Sequence, residues 1–574
     1  MPKIEIRNKI IAWFFLCITT AFLINNSLYS FCWSDEGFYL STVQRLANHE
    51  RLVFDEWSPT QFYALFLLPI YKAFLLLHSD TAGIYLFFRI LVIIFQFCIA
   101  LFSFNVLSKQ YHWLLALTGS LLPLIFIRGC IYGPSYYVFA QEMFLLGILC
   151  LFAINENHSP DWMLIPAGLA FGAAIVANPY LFPFFLIGLI VSFYVFRKYI
   201  AKLLLFWGSI ISIGVWILLV ILLRSSGPLL SNLLYIYRDP EYQRDFIHIL
   251  KTIHKCPKLL FRPFFTFYLP ITLICIGKLL GKLRLNIVHK QLLIGLNTCI
   301  FIICSLQTVK IGTGIVQFFP YSMLNALIAT DAPFQIFYEK YKKELCFFCV
   351  PGICLAFAFC CASNVGFEVC AIGMTIAFLG EVVINTDALV TVCYPSKRHL
   401  SRIIALLPAI CILIATYLLR INLTYRDGKL PFHIFFVPSK YPQVSHIEDG
   451  PAKGLYTDMV FAKQYNDILQ TVRLMPSSTS SLFVSKLAPW VFLIRPEIHC
   501  AAPTTWRLPL SDYRLPLYYQ NHSLPDAILV LDENIRDNGN NSLQDNAMTK
   551  LLEQEYLPSQ TRCGTIFFHK QTDF

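Results

Sequence analysis

The sequence predicts an all-α polytopic membrane protein with a small C-terminal α/β domain. Three observations carry this. Of the 574 residues, 57% are hydrophobic and only 14% are charged. Mean hydropathy is +0.60, far above a soluble globular chain. The apolar residues fall in long runs up to Leu419, after which polarity becomes ordinary and turn residues appear. Charge divides at the same place. Met1 to Arg420 holds 31 Lys and Arg against 19 Asp and Glu, whereas Ile421 to Phe574 holds 14 against 15. The basic excess belongs to the membrane part, where it sets topology and meets lipid phosphates, and gives no indication of nucleic-acid binding.

The elements follow in order. Lys3, Arg7 and Lys9 precede an apolar run from Ile10 to Ile24 with no small-residue cleavage site, which reads as an uncleaved first span with its basic end inside. The loop from Phe31 to about residue 82 then lies outside. Its segment Pro59 to Leu77, interrupted by Pro69 and Lys72, reads as an interfacial helix. Spans are expected at Ile84–Leu107, Tyr111–Ile127 and Tyr136–Ile154. A pair broken at Asn178-Pro179 follows, and then Leu203–Leu223. Six more runs, Phe264–Leu279 to Ile403–Leu419, bring the total to about thirteen at ~20 residues each. An odd count with short basic loops at alternate turns, such as Lys340-Lys342-Lys343, puts the N-terminus in the cytoplasm and the tail outside the cell membrane.

Residues 421–574 are expected as the extracytoplasmic domain. Helices are predicted at Asp458–Leu474 and Ser542–Tyr556, and strands at Ser481–Ser485, Ala527–Leu531 and Thr565–His569. There is no Gly-rich phosphate loop. Seventeen of the 19 cysteines lie in the membrane part with no metal spacing, and Cys500 and Cys563 are a candidate exported disulfide.

The chemistry-bearing stretch is Phe31 to Gln61, FCWSDEGFYLSTVQRLANHERLVFDEWSPTQ. It holds two acidic pairs, Asp35-Glu36 and Asp55-Glu56, flanked by Trp33, Phe38, Tyr39, Phe54 and Trp57. Carboxylates beside a membrane are costly unless solvated, paired or used. Asp35 has a structural alternative as the cap of a helix through Tyr39, Val43 and Leu46. Ser58-Pro59 reads as a helix start with Ser58 as cap, which leaves Asp55 and Glu56 for other work.

SDEGFYL, FDEWSPTQ, the ANPYL at Ala177–Leu181 and GPAKGLYT at Gly450–Thr457 give the chain a layout that resembles the GT-C superfamily of membrane glycosyltransferases. Protein O-mannosyltransferases and lipid A aminoarabinose transferases belong to it. The resemblance implies a polyprenyl-phosphate-linked sugar donor and a lipid, glycan or protein acceptor. It also implies inversion at the anomeric carbon, with Asp35 as the acceptor-activating residue and Asp55 as the second acidic position. Glu36 is a further catalytic candidate, with Glu56, Tyr39 and Trp57 as substrate contacts.

The reaction needs a base for the acceptor hydroxyl and positive charge on the departing phosphate. Arg89, Arg128, Arg238, Arg244, Arg262 and Lys310 are the cations expected near the outer face. A divalent cation held by Asp35 and Asp55 is compatible with oxygen ligands but not required. Glu142 and Glu381 fall inside apolar runs. They and the break at Asn178-Pro179 support the alternative of a transporter or flippase of lipid-linked glycans.

Overall fold

The computed structural model describes residues 2–126, 133–195, 197–224, 229–238, 265–307, 313–330, 334–362, 370–393, 398–424, 444–505, 514–532 and 555–570. The chain opens with α1 (Pro2–Ser27), α2 (Asp35–Ala47), α3 (Ala64–His78), α4 (Ile84–Leu107) and α5 (Trp113–Ile125). The helices α6 (Tyr136–Asn157), α7 (Leu164–Ala177), α8 (Phe182–Val195), α9 (Ile200–Arg224) and α10 (Leu229–Tyr237) follow. Next come α11 (Phe265–Leu279), α12 (Ile287–Gln307), α13 (Thr313–Ala329), α14 (Phe334–Glu344), α15 (Val350–Ala362), α16 (Cys370–Cys393) and α17 (Arg398–Thr424).

Among the described residues, seven helices are long and apolar enough to cross a membrane, including Gln61–His78, which the sequence reads as interfacial. Five shorter apolar helices accompany them, and the pair Asp161–Ala177 and Pro179–Tyr194 is bent by 116°. The bend has a local cause. Asn178 accepts the Tyr180 N–H at 3.3 Å through its side chain, and Pro179 opens a short 3₁₀ turn.

Close helix packing rests on small residues. On α15 and α16, Gly352 and Ala356 face Gly373 and Ala377. A Cβ added at Gly352 would come within 2.5 Å of the Ala377 nitrogen, and one at Gly373 within 2.3 Å of the Ala356 nitrogen. This is the small-xxx-small approach that lets helix backbones touch inside a bilayer.

The C-terminal region forms a ribbon of β1 (Val444–His446) and β2 (Tyr456–Asp458), then α18 (Met459–Arg473). The main sheet contains β3 (Ser481–Val484), β4 (His499–Cys500), β5 (Ala527–Leu531), β6 (Tyr556–Gln560) and β7 (Gly564–His569), in the order β4-β3-β5-β7-β6. The short helix α19 (Leu515–Tyr519) sits between β4 and β5 in sequence. Strands β4, β3 and β5 run parallel, and β7 and β6 complete the sheet antiparallel. Asp458 caps α18 by accepting the Val460 and Phe461 N–H groups, so it lies one residue outside the helix that was expected to begin with it.

Three expected strands and the α18 helix are therefore present. The edge strands β4 and β6 are additions. Tyr556, expected to end a helix, opens β6 instead, and the rest of that expected helix lies largely outside the described residues. Cys500 and Cys563 are buried and free. Their thiols go to Ala502 O and Thr471 Oγ1, which overturns the candidate disulfide.

The sheet region docks on one end of the helical bundle. Ser30 N donates to Tyr456 O and Tyr456 N to Leu28 O, each at 2.8 Å. Gly83, with φ of 78°, donates to Gly450 O at 3.1 Å, and Tyr85 N to Pro451 O at 3.2 Å. The GPAKGLYT segment is thus the turn that receives the first loop.

Gly373→Ala is expected to lower the thermal unfolding midpoint of the protein in detergent, at a cost of ~1–3 kcal/mol from overpacking. Gly208→Ala, where an added Cβ meets nothing within 4 Å, is expected to be neutral in the same measurement.

Candidate functional site

The loop Phe31–Gln61 is not a solvated polar loop. Every residue of α2 from Asp35 to Leu46 is buried. Gly37 makes this possible, because a Cβ there would lie 2.9 Å from both the Trp490 nitrogen and the Tyr85 hydroxyl. Trp490, in the 3₁₀ turn Pro489–Leu493, packs on Phe31, Trp33 and Tyr465 with ring centroids 5.6, 5.0 and 4.7 Å away. Aromatic edges and faces from loop and tail thus form one interface.

Arg45 is the electrostatic hub of the loop. Its side chain is 1% exposed. Nη1 donates to Glu56 Oε2 at 2.7 Å, Nε to Glu50 Oε2, and Nη2 to the carbonyl of Asp55. The other Glu56 oxygen accepts the Ser58 N–H at 2.9 Å. Glu50 reaches into the tail, where Oε1 accepts the Cys500 N–H at 3.1 Å and faces His499 Nδ1 at 3.5 Å. Ser58 therefore does not cap a helix. The following turn is 3₁₀, Gln61–Tyr63, and its capping position, Thr60, makes no side-chain cap.

Asp55 is held from two sides. Arg51 Nη2 donates to Oδ1 at 2.9 Å and Arg51 Nε to Oδ2 at 3.1 Å, while His522 Nε2 lies 3.0 Å from Oδ1. His522 stacks on Tyr518 with centroids 3.8 Å apart. Burial alone would raise the Asp55 carboxyl. The hydrogen bonds from His522 and Arg51 outweigh burial and hold it well below the usual carboxylate range. A group this acidic is a weak base at neutral pH.

Glu36 is fully buried and paired bidentately with Arg89 of α4, Nε to Oε1 at 2.6 Å and Nη2 to Oε2 at 2.5 Å. Arg89 also donates to Ser27 O at 2.6 Å and Tyr29 O at 3.3 Å. The pair pins the end of α1 and the start of α2 to α4. Arg89, expected at a phosphate, is paired with Glu36 in this structure.

Asp35 is the first residue of α2 and is 9% exposed. The Tyr39 hydroxyl donates to its Oδ1 at 3.5 Å. The Tyr39 ring packs on Tyr63 and Tyr136 at 6.3 and 5.9 Å, and Tyr136 on Tyr137 at 4.0 Å. Ser34, and not Asp35, occupies the capping position, and it makes no side-chain cap. Trp57 is fully buried, donates to Phe54 O at 3.0 Å, and packs against Tyr235, Tyr518 and Arg514. It is a packing residue in this state and not an open substrate contact.

Arg238 is exposed at the end of α10. Arg128, Arg244, Arg262 and Lys310 lie outside the described residues. Among the described residues, no three His, Cys, Asp or Glu side chains gather as a metal site. Asp55, one of the two oxygen donors expected for a divalent cation, is engaged by Arg51 and His522. Glu142 accepts from Gln96 Nε2 at 3.3 Å, and both Glu381 oxygens are buried without a hydrogen-bond partner among the described residues.

Sequence reasoning missed Arg45, Glu50, Arg51 and His522. Arg45, Glu50 and Arg51 stand inside the acidic stretch, and the i,i+4 spacing of Arg51 and Asp55 was a readable signal. The partners from the tail are more than 440 residues away, and no local signal points to them.

No protein-family model matches this chain, and no curated protein matches it in sequence. In structure it is similar to ArnT from Cupriavidus metallidurans, known from a crystal structure in the apo state. That likeness covers 96% of this chain and 97% of the other, at 12% sequence identity and a TM-score of 0.39.

Arg45→Gln is expected to leave Glu50 and Glu56 buried without their counter-ion, at a cost of ~3–5 kcal/mol. The readout is the unfolding midpoint together with faster proteolysis of the tail. Arg473→Gln, which removes an exposed pair with Asp449, is expected to change stability by less than ~1 kcal/mol.

A pH dependence also follows. The hydrogen bond to Glu50 raises His499 above its ordinary value, against the opposing effect of partial burial. A raised imidazole stabilises fully below its unfolded pKa of ~6.5, and this is lost as pH rises through the folded value. Tail protection from protease is expected to fall as pH rises above ~6.5, and His499→Gln to flatten that slope.

Proposed function

We propose that the protein is a membrane glycosyltransferase. It moves a sugar from a polyprenyl-phosphate-linked donor to an acceptor hydroxyl at the outer face of the membrane, with Asp35 as general base. The observation that carries this reading is the place of Asp35. It opens α2 next to Glu36, and the Tyr39 hydroxyl donates to its carboxylate at 3.5 Å. The buried Glu36–Arg89 pair beside it fixes its position. The GT-C-like motifs SDEGFYL and FDEWSPTQ support the same class of reaction.

In this mechanism Asp35 accepts the acceptor's hydroxyl proton as that oxygen attacks the anomeric carbon. The bond from the anomeric carbon to the phosphate oxygen breaks on the opposite face, so the configuration inverts. The lipid phosphate leaves with the electron pair, stabilised by cations at the same face. Arg238 is the described candidate for that role, with Arg128, Arg244, Arg262 and Lys310 as further ones. Tyr39 is buried and donates to Asp35, so it orients the base. The domain of residues 421–574 takes part in acceptor choice.

A second reading, a transporter or flippase of lipid-linked glycans, is favoured by the bent pair α7–α8 and by the buried carboxylate oxygens of Glu381, which have no hydrogen-bond partner among the described residues. It requires movement of an intact lipid-linked sugar without transfer.

Asp35→Asn is expected to lower sugar transfer from labelled polyprenyl-phosphate sugar by ~10²–10⁴-fold, with normal expression and donor binding. Asp55→Asn is expected to lower the yield of folded protein more than turnover per folded molecule. Near-normal turnover by Asp35→Asn removes it as the base. Donor flipping with no transfer by the unaltered protein selects the second reading.

A further inference from the structure

Gln96 on α4 and Glu142 on α6 meet inside the bundle, each 1% exposed. Gln96 Nε2 donates to Glu142 Oε1 at 3.3 Å. The other two polar atoms of the same side chains, Gln96 Oε1 and Glu142 Oε2, are also buried. Neither has a hydrogen-bond partner among the described residues. Two buried acceptors on side chains already joined by one hydrogen bond lack one thing, a proton between them. An ionised carboxylate cannot supply it, and would itself stand uncompensated in an apolar interior.

We propose that Glu142 is held as a neutral carboxylic acid that exchanges two hydrogen bonds with Gln96, forming a polar clasp between α4 and α6. The Glu142 Oε2–H donates to Gln96 Oε1 while Gln96 Nε2–H donates to Glu142 Oε1. This closes an eight-membered ring and satisfies every polar atom left over.

Among the described residues of the elements packed on α6, none supplies a cation for the alternative. α6 packs against α4, α7, α16, the 3₁₀ turn Asp161–Met163 and the π-helical turn Leu345–Cys349. On α4, Arg89 is engaged by Glu36 and two carbonyls, and neither Tyr85 nor Cys98 is a cation. α7 has no titratable side chain. α16 brings Cys370, Glu381, Asp387 and Cys393, of which Asp387 is paired with Lys340. The two turns bring Asp161, paired with Lys202, and Cys346 and Cys349.

The clasp is a positioning device. Gln96 lies seven residues, two helical turns, from Arg89 on the same face of α4. Tyr136, which packs on Tyr39, is on the first turn of α6. One residue before Glu142, Gln141 Nε2 donates to Thr375 Oγ1 at 3.0 Å and ties α6 to α16 as well. The clasp thus fixes the spacing between the two helices that carry Arg89 and Tyr136 to the site.

The test uses the full chain in lipid nanodiscs at neutral pH, with infrared difference spectra and thermal unfolding. A protonated-carboxyl carbonyl band is expected that vanishes in Glu142→Gln and shifts in Gln96→Leu. Glu142→Gln, whose side-chain N–H replaces the acid proton as donor to Gln96, is expected to unfold within a degree or two of the unaltered protein. Glu142→Leu and Gln96→Leu are expected to unfold several degrees lower or to yield less folded protein. The absence of a protonated-carboxyl band that Glu142→Gln removes overturns the proposal. So does a loss of stability in Glu142→Gln equal to that in Glu142→Leu.

Discussion

The buried guanidinium of Arg45 is the constraint on which the junction between bundle and tail depends. A cation with 1% of its side chain exposed is tolerable only if carboxylates and carbonyls surround it. Glu50, Glu56 and the Asp55 carbonyl do so, and all three come from the next eleven residues. Satisfying that one charge folds the segment after α2 back on itself. The same fold turns the second oxygen of Glu50 toward the tail, where it receives the Cys500 N–H at the edge of the main sheet. One ion network therefore shapes the loop and registers the tail against it.

Around this polar centre the contact is apolar and tight. Phe31 and Trp33 on the loop meet Trp490, Tyr465 and Phe461 on the tail. Backbone hydrogen bonds at Ser30, Gly83 and Tyr85 add direction that ring packing lacks. Aromatic burial supplies most of the attraction, and the ion network sets which residues face each other. The arrangement explains why a segment rich in Asp, Glu, Arg and Gln is almost wholly buried.

Glu36, Asp55 and Glu56 of the two acidic pairs have different partners. Glu36 is neutralised by Arg89 within the bundle, Glu56 by Arg45 at the hub, and Asp55 by Arg51 and His522 near the surface. Each of these pairs fixes a piece of backbone. Asp35 opens α2, whose start is fixed by the Glu36–Arg89 pair, and its carboxylate receives the Tyr39 hydroxyl.

The amino-acid sequence by itself determined the class of the fold, because long apolar runs and a change to ordinary polarity near residue 421 are properties of composition and order. It also determined local elements with strong local signals. Helix α18, the strands Ser481–Val484 and Ala527–Leu531, and the break at Asn178-Pro179 are all legible from neighbours a few residues apart. It marked the acidic stretch as the place of interest. Only the tertiary structure decided which carboxylates are paired, since Arg89, Cys500 and His522 reach that stretch from 53 to 467 residues away. The same holds for the free state of Cys500 and Cys563, for the edge strands β4 and β6, and for the burial of Trp57. Such outcomes depend on which distant side chain arrives within hydrogen-bond distance. That is set by the packing of whole helices and sheets, and no local spacing encodes it.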